Sequence, residues 1–379
     1  MKPESEEELA ECVRSAPGPV EISGGGTRRG LGHDVQGLKL GIGRLAGITL
    51  YEPGALTMVA RAGTPLAEIE EALAAENQCL AFEPTDHRKL LGNTGEPTIG
   101  GAVACNASGP RRIQAGACRD FLLGVRFVDG QGNIIKSGGR VMKNVTGYDL
   151  VKLMAGSHGT LGVLSEISFK VLPAPETASV LLYQGLGDRR AVQAMTAALG
   201  SPYGVTGVAH TPRGLDGEPV TMIRIEGFEK SVSYRAKELR ELLREYGEPD
   251  LETRAAKTRA GWAWVRDVEA FADEPGDIWR ISVKPTDGPA VADALRAAGD
   301  TGILYDWGGG LVWARVGEGT DARAHIEGIP GHATLVRASA ETRSRIPVFH
   351  PQPAPVARIS AGLRDRFDPR GILNPGRMG

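Results

Sequence analysis

Apolar and polar positions follow one order up to about residue 175, a second beyond it, and a third near the C-terminus. In the first region short β-type runs alternate with helices and glycine turns. Residues 19–23 and 55–62 read as strands, the second closed by Gly63. A helix is predicted next, with Thr64 as cap, Pro65 at its first position and Leu66, Ile69 and Leu73 at helical spacing. Residues 122–129 and 133–136 flank Gly130-Gln131-Gly132 as a hairpin, and 164–172 is a closing strand punctuated by Pro173 and Pro175.

Beyond Pro175 the glycine turns thin out and the periods become regular. Strands are predicted at 179–184, 204–209 and 220–226, with helices at 188–199 and 231–246. The second helix should bury Leu239, Leu242, Leu243 and Tyr246 and stop at Gly247. After a helix over 255–272 the order repeats: strand 277–284, helix 289–298, then strands 303–307, 311–316 and 333–338. This is two βαββαβ units in tandem, a pattern that builds an antiparallel sheet with helices on one face. Residues 343–350 read as a loop and 356–367 as a short helix. Two prolines and two glycines within 368–377 fix a turn that should dock back on the first domain.

Composition narrows what such a chain can be. At 379 residues two domains are expected. Lys plus Arg number 44 against 46 Asp plus Glu with no long run of one sign, which argues against nucleic acid as the main partner. No apolar run approaches the ~20 residues of a membrane-spanning helix, and the acidic start lacks the features of a secretory signal. These readings place the chain in the cytoplasm. Cys12, Cys79, Cys105 and Cys118 are scattered, so a cluster or zinc site held by these thiolates alone is not expected.

The chemistry concentrates in glycine-bearing segments: Ser23-Gly24-Gly25-Gly26-Thr27 after the first strand, Pro84-Thr85-Asp86, Thr98-Ile99-Gly100-Gly101 running to Gly109, Gly147-Tyr148-Asp149-Leu150, and Gly156-Ser157-His158-Gly159-Thr160-Leu161-Gly162-Val163. Glycine lets main-chain N–H groups approach an anion, so several such loops in order imply a long phosphate-bearing ligand. No Gly-x-Gly-x-x-Gly sits between an opening strand and helix, which disfavours a doubly wound nicotinamide site.

In this order the segments resemble the FAD-binding domain of the vanillyl-alcohol oxidase and p-cresol methylhydroxylase (PCMH) flavoproteins, over about residues 1–175 plus Asn374-Pro375-Gly376-Arg377. Within that group the chain most closely resembles the smaller FAD-binding subunits of bacterial glycolate oxidases. It is similar also to D-lactate and D-2-hydroxyglutarate dehydrogenases. The resemblance implies an α+β fold: a PCMH-type FAD domain of two α+β subdomains (1–175), an antiparallel-sheet cap (176–340), and a segment returning to the FAD domain (341–379). It implies that Gly24, Gly25, Gly26 and Thr27 hold the pyrophosphate and that Pro84, Thr85 and Asp86 line the flavin. Ile99, Gly100, Gly101 and Asn106 would form a second cradle. Gly156, Ser157, Gly159, Thr160 and Val163 would contact the adenosine half and ribityl chain, and Tyr148 and Asn374 join the cofactor contacts. Covalent FAD in this group uses a His in the phosphate loop. The positions here read Gly24-Gly25-Gly26-Thr27-Arg28, so FAD is expected without a covalent bond.

The substrate side departs from the resemblance. The His-rich stretch of 2-hydroxy acid dehydrogenases is missing, and none of the seven histidines pairs with another at metal-ligand spacing. His350 in the returning tail is the candidate base, and His158 reads as structural. Lys143 and Arg377 are the candidate cations for reduced flavin, with Arg111 and Arg112 reading as solvated charges. Trp262, Trp264, Phe271, Trp279, Trp307 and Trp313 read as core or interface. Trp262 and Trp264, two apart on a helix, predict one exposed ring at a partner surface. The leading expectation is an FAD subunit of a glycolate-oxidising complex with a larger homologous FAD subunit and an iron–sulfur subunit. Any membrane association would then come through those partners. The alternatives are a self-sufficient FAD-dependent 2-hydroxy acid dehydrogenase and a flavin-binding scaffold that never turns over.

Overall fold

The structure is a computed structural model that describes residues 1–140 and 147–379. The chain divides into two compact units, Met1–Ser108 with Gly116–Ala174 and Pro351–Gly379, and Gly109–Ala115 with Pro175–His350. Residues 341–350 therefore belong with unit 2, while the rest of the expected tail belongs with unit 1. The mixed α+β class expected from the sequence is present in both.

Unit 1 opens with the helix Glu6–Arg14, capped by the Ser5 hydroxyl and carrying acidic residues in its first turn, where they complement the helix dipole. Leu9, Ala10 and Val13 form its buried face. Strands β1 (Val20–Ser23) and β2 (Leu38–Gly41) pair in parallel. Strands β3 (Ile48–Glu52), β4 (Thr57–Arg61), β6 (Leu122–Val128), β7 (Ile134–Gly138) and β8 (Val163–Lys170) form a sheet in the order β3-β4-β8-β6-β7. The short β5 (Gln78–Cys79) and β9 (Leu172–Pro173) pair separately. The helix after β4 starts at Leu66 with Pro65 as its cap residue. The Thr64 hydroxyl does not cap it; its oxygen accepts from Gly47 N–H at 2.9 Å and its proton goes to the Arg61 carbonyl at 2.7 Å.

The tail docks on unit 1 through main-chain pairing. Val20 bridges Leu373, Arg370 reaches the carbonyls of Val13 and Arg14 at 3.1 Å each, and the Asp368 carboxylate accepts from Leu373 N–H at 2.7 Å. The helix before it spans Ala354–Phe367.

Unit 2 is one eight-stranded sheet built from two copies of the same connectivity. Strands β10 (Thr177–Gln184), β11 (Val205–Thr211), β12 (Val220–Gly227) and β13 (Asp250–Glu252) form one half. Strands β14 (Asp277–Val283), β15 (Gly302–Asp306), β16 (Leu311–Val316) and β17 (Gly331–Arg337) form the other. The order β13-β10-β12-β11-β15-β16-β14-β17 reads the same outward from the β11–β15 junction in either direction. Alternation along the strands sends Leu181, Tyr183, Trp279, Ile281 and Tyr305 to one face. There they meet the helices Asp188–Leu199, Glu229–Leu242 and Gly288–Ala298 in one core.

Four expectations fail in unit 2. Helices are not confined to one face: Ala255–Arg266 lies on the other, where Trp262 and Val265 pack on Val180, Ala209 and Met222. Trp264 is half-buried against that same cluster, so neither ring of the pair stands free. The helix expected to bury Leu242 ends there with Leu242 exposed, because Val232, Ala236 and Leu239, continued by Leu243, form the stripe that meets the core. Part of the loop expected at 343–350 is helical too: Ala340–Arg345 is capped by Ser339.

Candidate functional site

β1 delivers Ser23 into the glycine run, and the chain turns there under steric constraints that only glycine meets. A Cβ on Gly25 would fall 1.6 Å from the Glu96 carbonyl oxygen, and one on Gly95 would fall 1.7 Å from the Gly25 oxygen. The two loops thus press backbone on backbone. Among the described residues, the N–H groups of residues 24–28 have no protein acceptor. A run of unspent main-chain donors at a glycine turn suits an anion, since leaving buried N–H groups unmet is costly.

These residues line a half-open cleft in unit 1. Thr98, Gly100 and Gly101 form a second wall, where the Thr98 hydroxyl accepts from Gly101 N–H at 3.2 Å and caps a short helix. Ser157, His158 and Gly159 form a third. Asn374 ties the walls together: its Oδ1 accepts from Ile22 N–H and its Nδ2 donates to the His158 carbonyl, both at 2.8 Å. Arg377 is 5% exposed and donates to the carbonyls of Arg29 and Leu31, with burial pulling its pKa down. Arg28 donates to the Thr85 carbonyl at 2.6 Å and keeps its Nε without a partner among the described residues. Apolar contact comes from Leu31, Ile42 and Leu164.

Of the residues expected to bind cofactor, the cleft collects Gly24, Gly25, Gly26, Thr27, Gly100, Gly101, Ser157, Gly159 and Asn374, together with Arg377. The others take different positions in unit 1. Ile99 and Val163 are fully buried. Asn106 spends its Oδ1 on Arg119 N–H at 3.0 Å, Thr160 donates to the Ser157 carbonyl, and Gly156 makes a left-handed turn at φ 84°. Thr85 meets the site through its carbonyl, Asp86 pairs with Arg88 at 2.7 Å, and Pro84 precedes them. Tyr148 is 89% exposed and stands outside the lining. Lys143 lies outside the described residues. His350 is in unit 2, exposed, its Nδ1 accepting from Ala333 N–H at 3.4 Å. Arg111 is no solvated charge: it pairs with Glu226 at 2.6 Å within unit 2, its side chain 14% exposed.

Cys105 and Arg28 join the site without a sequence signal, and His158, expected to be structural, lines it. Cys105 Sγ lies 3.7 Å from His158 Nδ1 and lines the cleft. Burial would raise this thiol, but His158, Arg28 and Arg377 outweigh it and hold the pKa below the ordinary value. Burial instead drives the Cys118 thiol far up. Iodoacetamide at neutral pH is therefore expected to alkylate Cys105 well ahead of Cys118 in ligand-free protein, and an occupied cleft should protect it. Peptide mass spectrometry over a time course decides; equal rates at the two thiols would refute the assignment.

Residues 1–138 match the FAD binding domain family. Over 364 residues the chain is 38% identical to glycolate oxidase subunit GlcE of Escherichia coli (strain K12), covering 95% of this chain and 92% of that protein. Over 191 residues it is 33% identical to a D-lactate dehydrogenase of Anaerostipes hadrus, covering 48% of this chain and 38% of that one. Among solved structures, p-cresol methylhydroxylase with substrate bound matches with a TM-score of 0.69 at 12% identity, covering 100% of this chain and 88% of that chain. That likeness establishes the fold.

Proposed function

Because the chain belongs to the family of the glycolate oxidase subunit GlcE, we propose that it is the FAD-binding subunit of a complex that oxidises glycolate or a near 2-hydroxy acid. In this reading it accepts or relays electrons through FAD. The observation that carries the reading is a near full-length family match in a chain whose unit 1 holds a cleft lined by unspent N–H donors and arginines. That donor set fits a dinucleotide pyrophosphate.

The N–H groups of residues 24–28 would hold the pyrophosphate, and Arg28 and Arg377 would offset its charge. Asn374 would keep β1 and the His158 loop at fixed spacing around the ligand. When bound, FAD supplies two-electron acceptance and stepwise electron release. His350, the base expected from the sequence, has its Nδ1 lone pair on a main-chain N–H, which places the proton of the uncharged ring on Nε2 and leaves no free lone pair to act as a base. We therefore assign substrate oxidation to a larger homologous FAD subunit and onward transfer to an iron–sulfur subunit. Among the described residues no helix is long and apolar enough to cross a membrane, and any membrane association is assigned to the partners.

Two measurements check this. Acid precipitation should release all yellow colour to the supernatant, because the phosphate loop offers Thr27 and Arg28 where a covalent link would need a His; colour in the pellet would refute non-covalent binding. Under anaerobic conditions glycolate should leave the flavin of the purified chain oxidised and reduce it once the partner subunits are added. Bleaching of the chain alone by glycolate or D-lactate would establish a self-sufficient dehydrogenase, and no reduction in either case would establish a scaffold.

A further inference from the structure

Unit 2 carries a second concentration of positive charge, on the sheet face opposite its main helical core. Trp279 and Ile281 enter that core fully buried, so strand alternation turns Arg280 to the other face, between Trp313 on β16 and Thr334 on β17. Its guanidinium carbon stands 5.1 Å from the centre of the Trp307 ring, and that of Arg112 stands 4.9 Å from the same ring. Trp307 is itself held in place. Its backbone adopts a left-handed φ of 53°, costly for a bulky residue. Asp306 accepts its N–H at 2.7 Å, and its ring nitrogen donates to the Gly109 carbonyl at 3.1 Å.

The same face contains a contrasting case. Arg224 lies over Trp262 at 4.3 Å but has a carboxylate at hand, Glu226, which it shares with Arg111. Arg280 has no such partner: among the described residues it makes no hydrogen bond and no ion pair. Asp306 is the one acidic group that acts on it, and Arg112 adds like charge. Burial first, then Arg112, brings its pKa down to about 10, leaving it a cation at neutral pH. His332, on the next strand, is lowered by burial and then by Arg280, His350 and Arg112. A half-buried guanidinium with no ion-pair partner among the described residues, stacked on a Trp ring beside another cation, is an arrangement that an anion would relieve.

We propose that Arg280, with Arg112 across Trp307 and His332 beside it, forms an oxyanion subsite in unit 2 that takes the carboxylate of a small 2-hydroxy or 2-oxo acid. A planar guanidinium fork stacked on an aromatic ring suits a planar carboxylate better than a tetrahedral oxyanion. The choice of acid rests on the function proposed above, while the subsite rests on unit 2 alone. The chain would then bind such an acid without its partners.

Isothermal titration of the FAD-loaded chain with oxalate, an unreactive two-carbon analogue, tests this. Saturable binding is expected, competed by glycolate, with phosphate at least tenfold weaker. Arg280→Met should weaken oxalate at least tenfold and Arg280→Lys less, while Arg358→Met, on an exposed helix, should change it less than twofold. If Arg280→Met loses its native circular dichroism, Arg112→Met is read by the same criterion. No oxalate binding by the wild type, binding within twofold in the folded variant, or phosphate binding as tight as oxalate would each overturn the subsite. Because the titration involves neither partners nor turnover, its failure leaves the electron-transfer test standing, and the reverse holds equally.

Discussion

Gly25→Ala is expected to abolish retention of FAD through purification, with affinity reduced at least about 100-fold, equivalent to ~2.7 kcal/mol. The added methyl would sit 1.6 Å from a main-chain oxygen, Glu96 O, and no side-chain rotation can relieve that contact. Either the 24–28 loop or the 95–96 loop must move, and both are pinned, because Gly95 packs on Gly25 with equal intimacy. Overpacking of this kind costs roughly 1–3 kcal/mol and sometimes more. Here it also displaces donors that have no other acceptor among the described residues. Neighbouring positions separate this mechanism from a general intolerance of the loop. Gly26→Ala meets nothing closer than 4.0 Å and suffers only from its φ of +79°, about 1–2 kcal/mol, so roughly tenfold weaker binding follows. Gly24→Ala meets the Thr98 hydroxyl at 2.4 Å, a side chain that can turn away at the expense of its cap, and should fall between them. Flavin fluorescence titration of apoprotein gives all three; Gly25→Ala within threefold of wild type would show that the loop yields.

That loop was legible in the sequence because its function depends on a residue type. Only glycine permits such approaches, so a run of three after a strand announces a close backbone contact before any fold is known. The tandem repeat of unit 2 was legible for a related reason: spacings of two and of three to four alternate there without interruption, as in 188–199 and 311–316, both of which form as expected. What periodicity cannot give is the face of a sheet on which an amphipathic helix settles. The helix Ala255–Arg266 therefore fell on the unexpected side, where Trp262 finds Arg224. Contacts between distant segments were equally hidden. Arg280 reads as an ordinary charge alternating with Trp279 and Ile281, and nothing local relates it to Trp307 or to Arg112 in a segment that belongs to unit 2 only by folding. Tyr148, placed among the cofactor contacts by its motif, has a ring that is 89% exposed and stands outside the cleft lining.

Asp188→Ala should destabilise unit 2 by roughly 3–5 kcal/mol, the range for removing one member of a buried charge pair. The Asp188 side chain, 12% exposed, accepts from the Tyr305 hydroxyl at 2.7 Å, pairs with Arg296 at 2.7 Å and faces Nε2 of the fully buried His210 at 3.5 Å. Its loss leaves the buried Tyr305 hydroxyl and His210 ring without that acceptor, while Arg296, 37% exposed, can turn to solvent. Tyr305→Phe removes one hydrogen bond to a charged acceptor and should cost less, roughly 1.5–3 kcal/mol. All five tryptophans, Trp262, Trp264, Trp279, Trp307 and Trp313, lie in unit 2. Their fluorescence in a urea titration therefore follows this unit, while release of flavin follows unit 1. Acid adds a second discriminant. Burial would raise the Asp188 carboxyl, but His210, Tyr305 and Arg296 prevail and hold it well below the ordinary carboxylate range. A carboxyl depressed in the folded state stabilises fully above its unfolded value, about 3.9, and that contribution fades as pH falls toward the folded value. The stability gap between wild type and Asp188→Asn should thus be constant from pH 5 to 7 and narrow below about pH 4. A gap that stays constant into acid would mean that the carboxylate's charge contributes nothing and that Asp188 serves only as a hydrogen-bond acceptor.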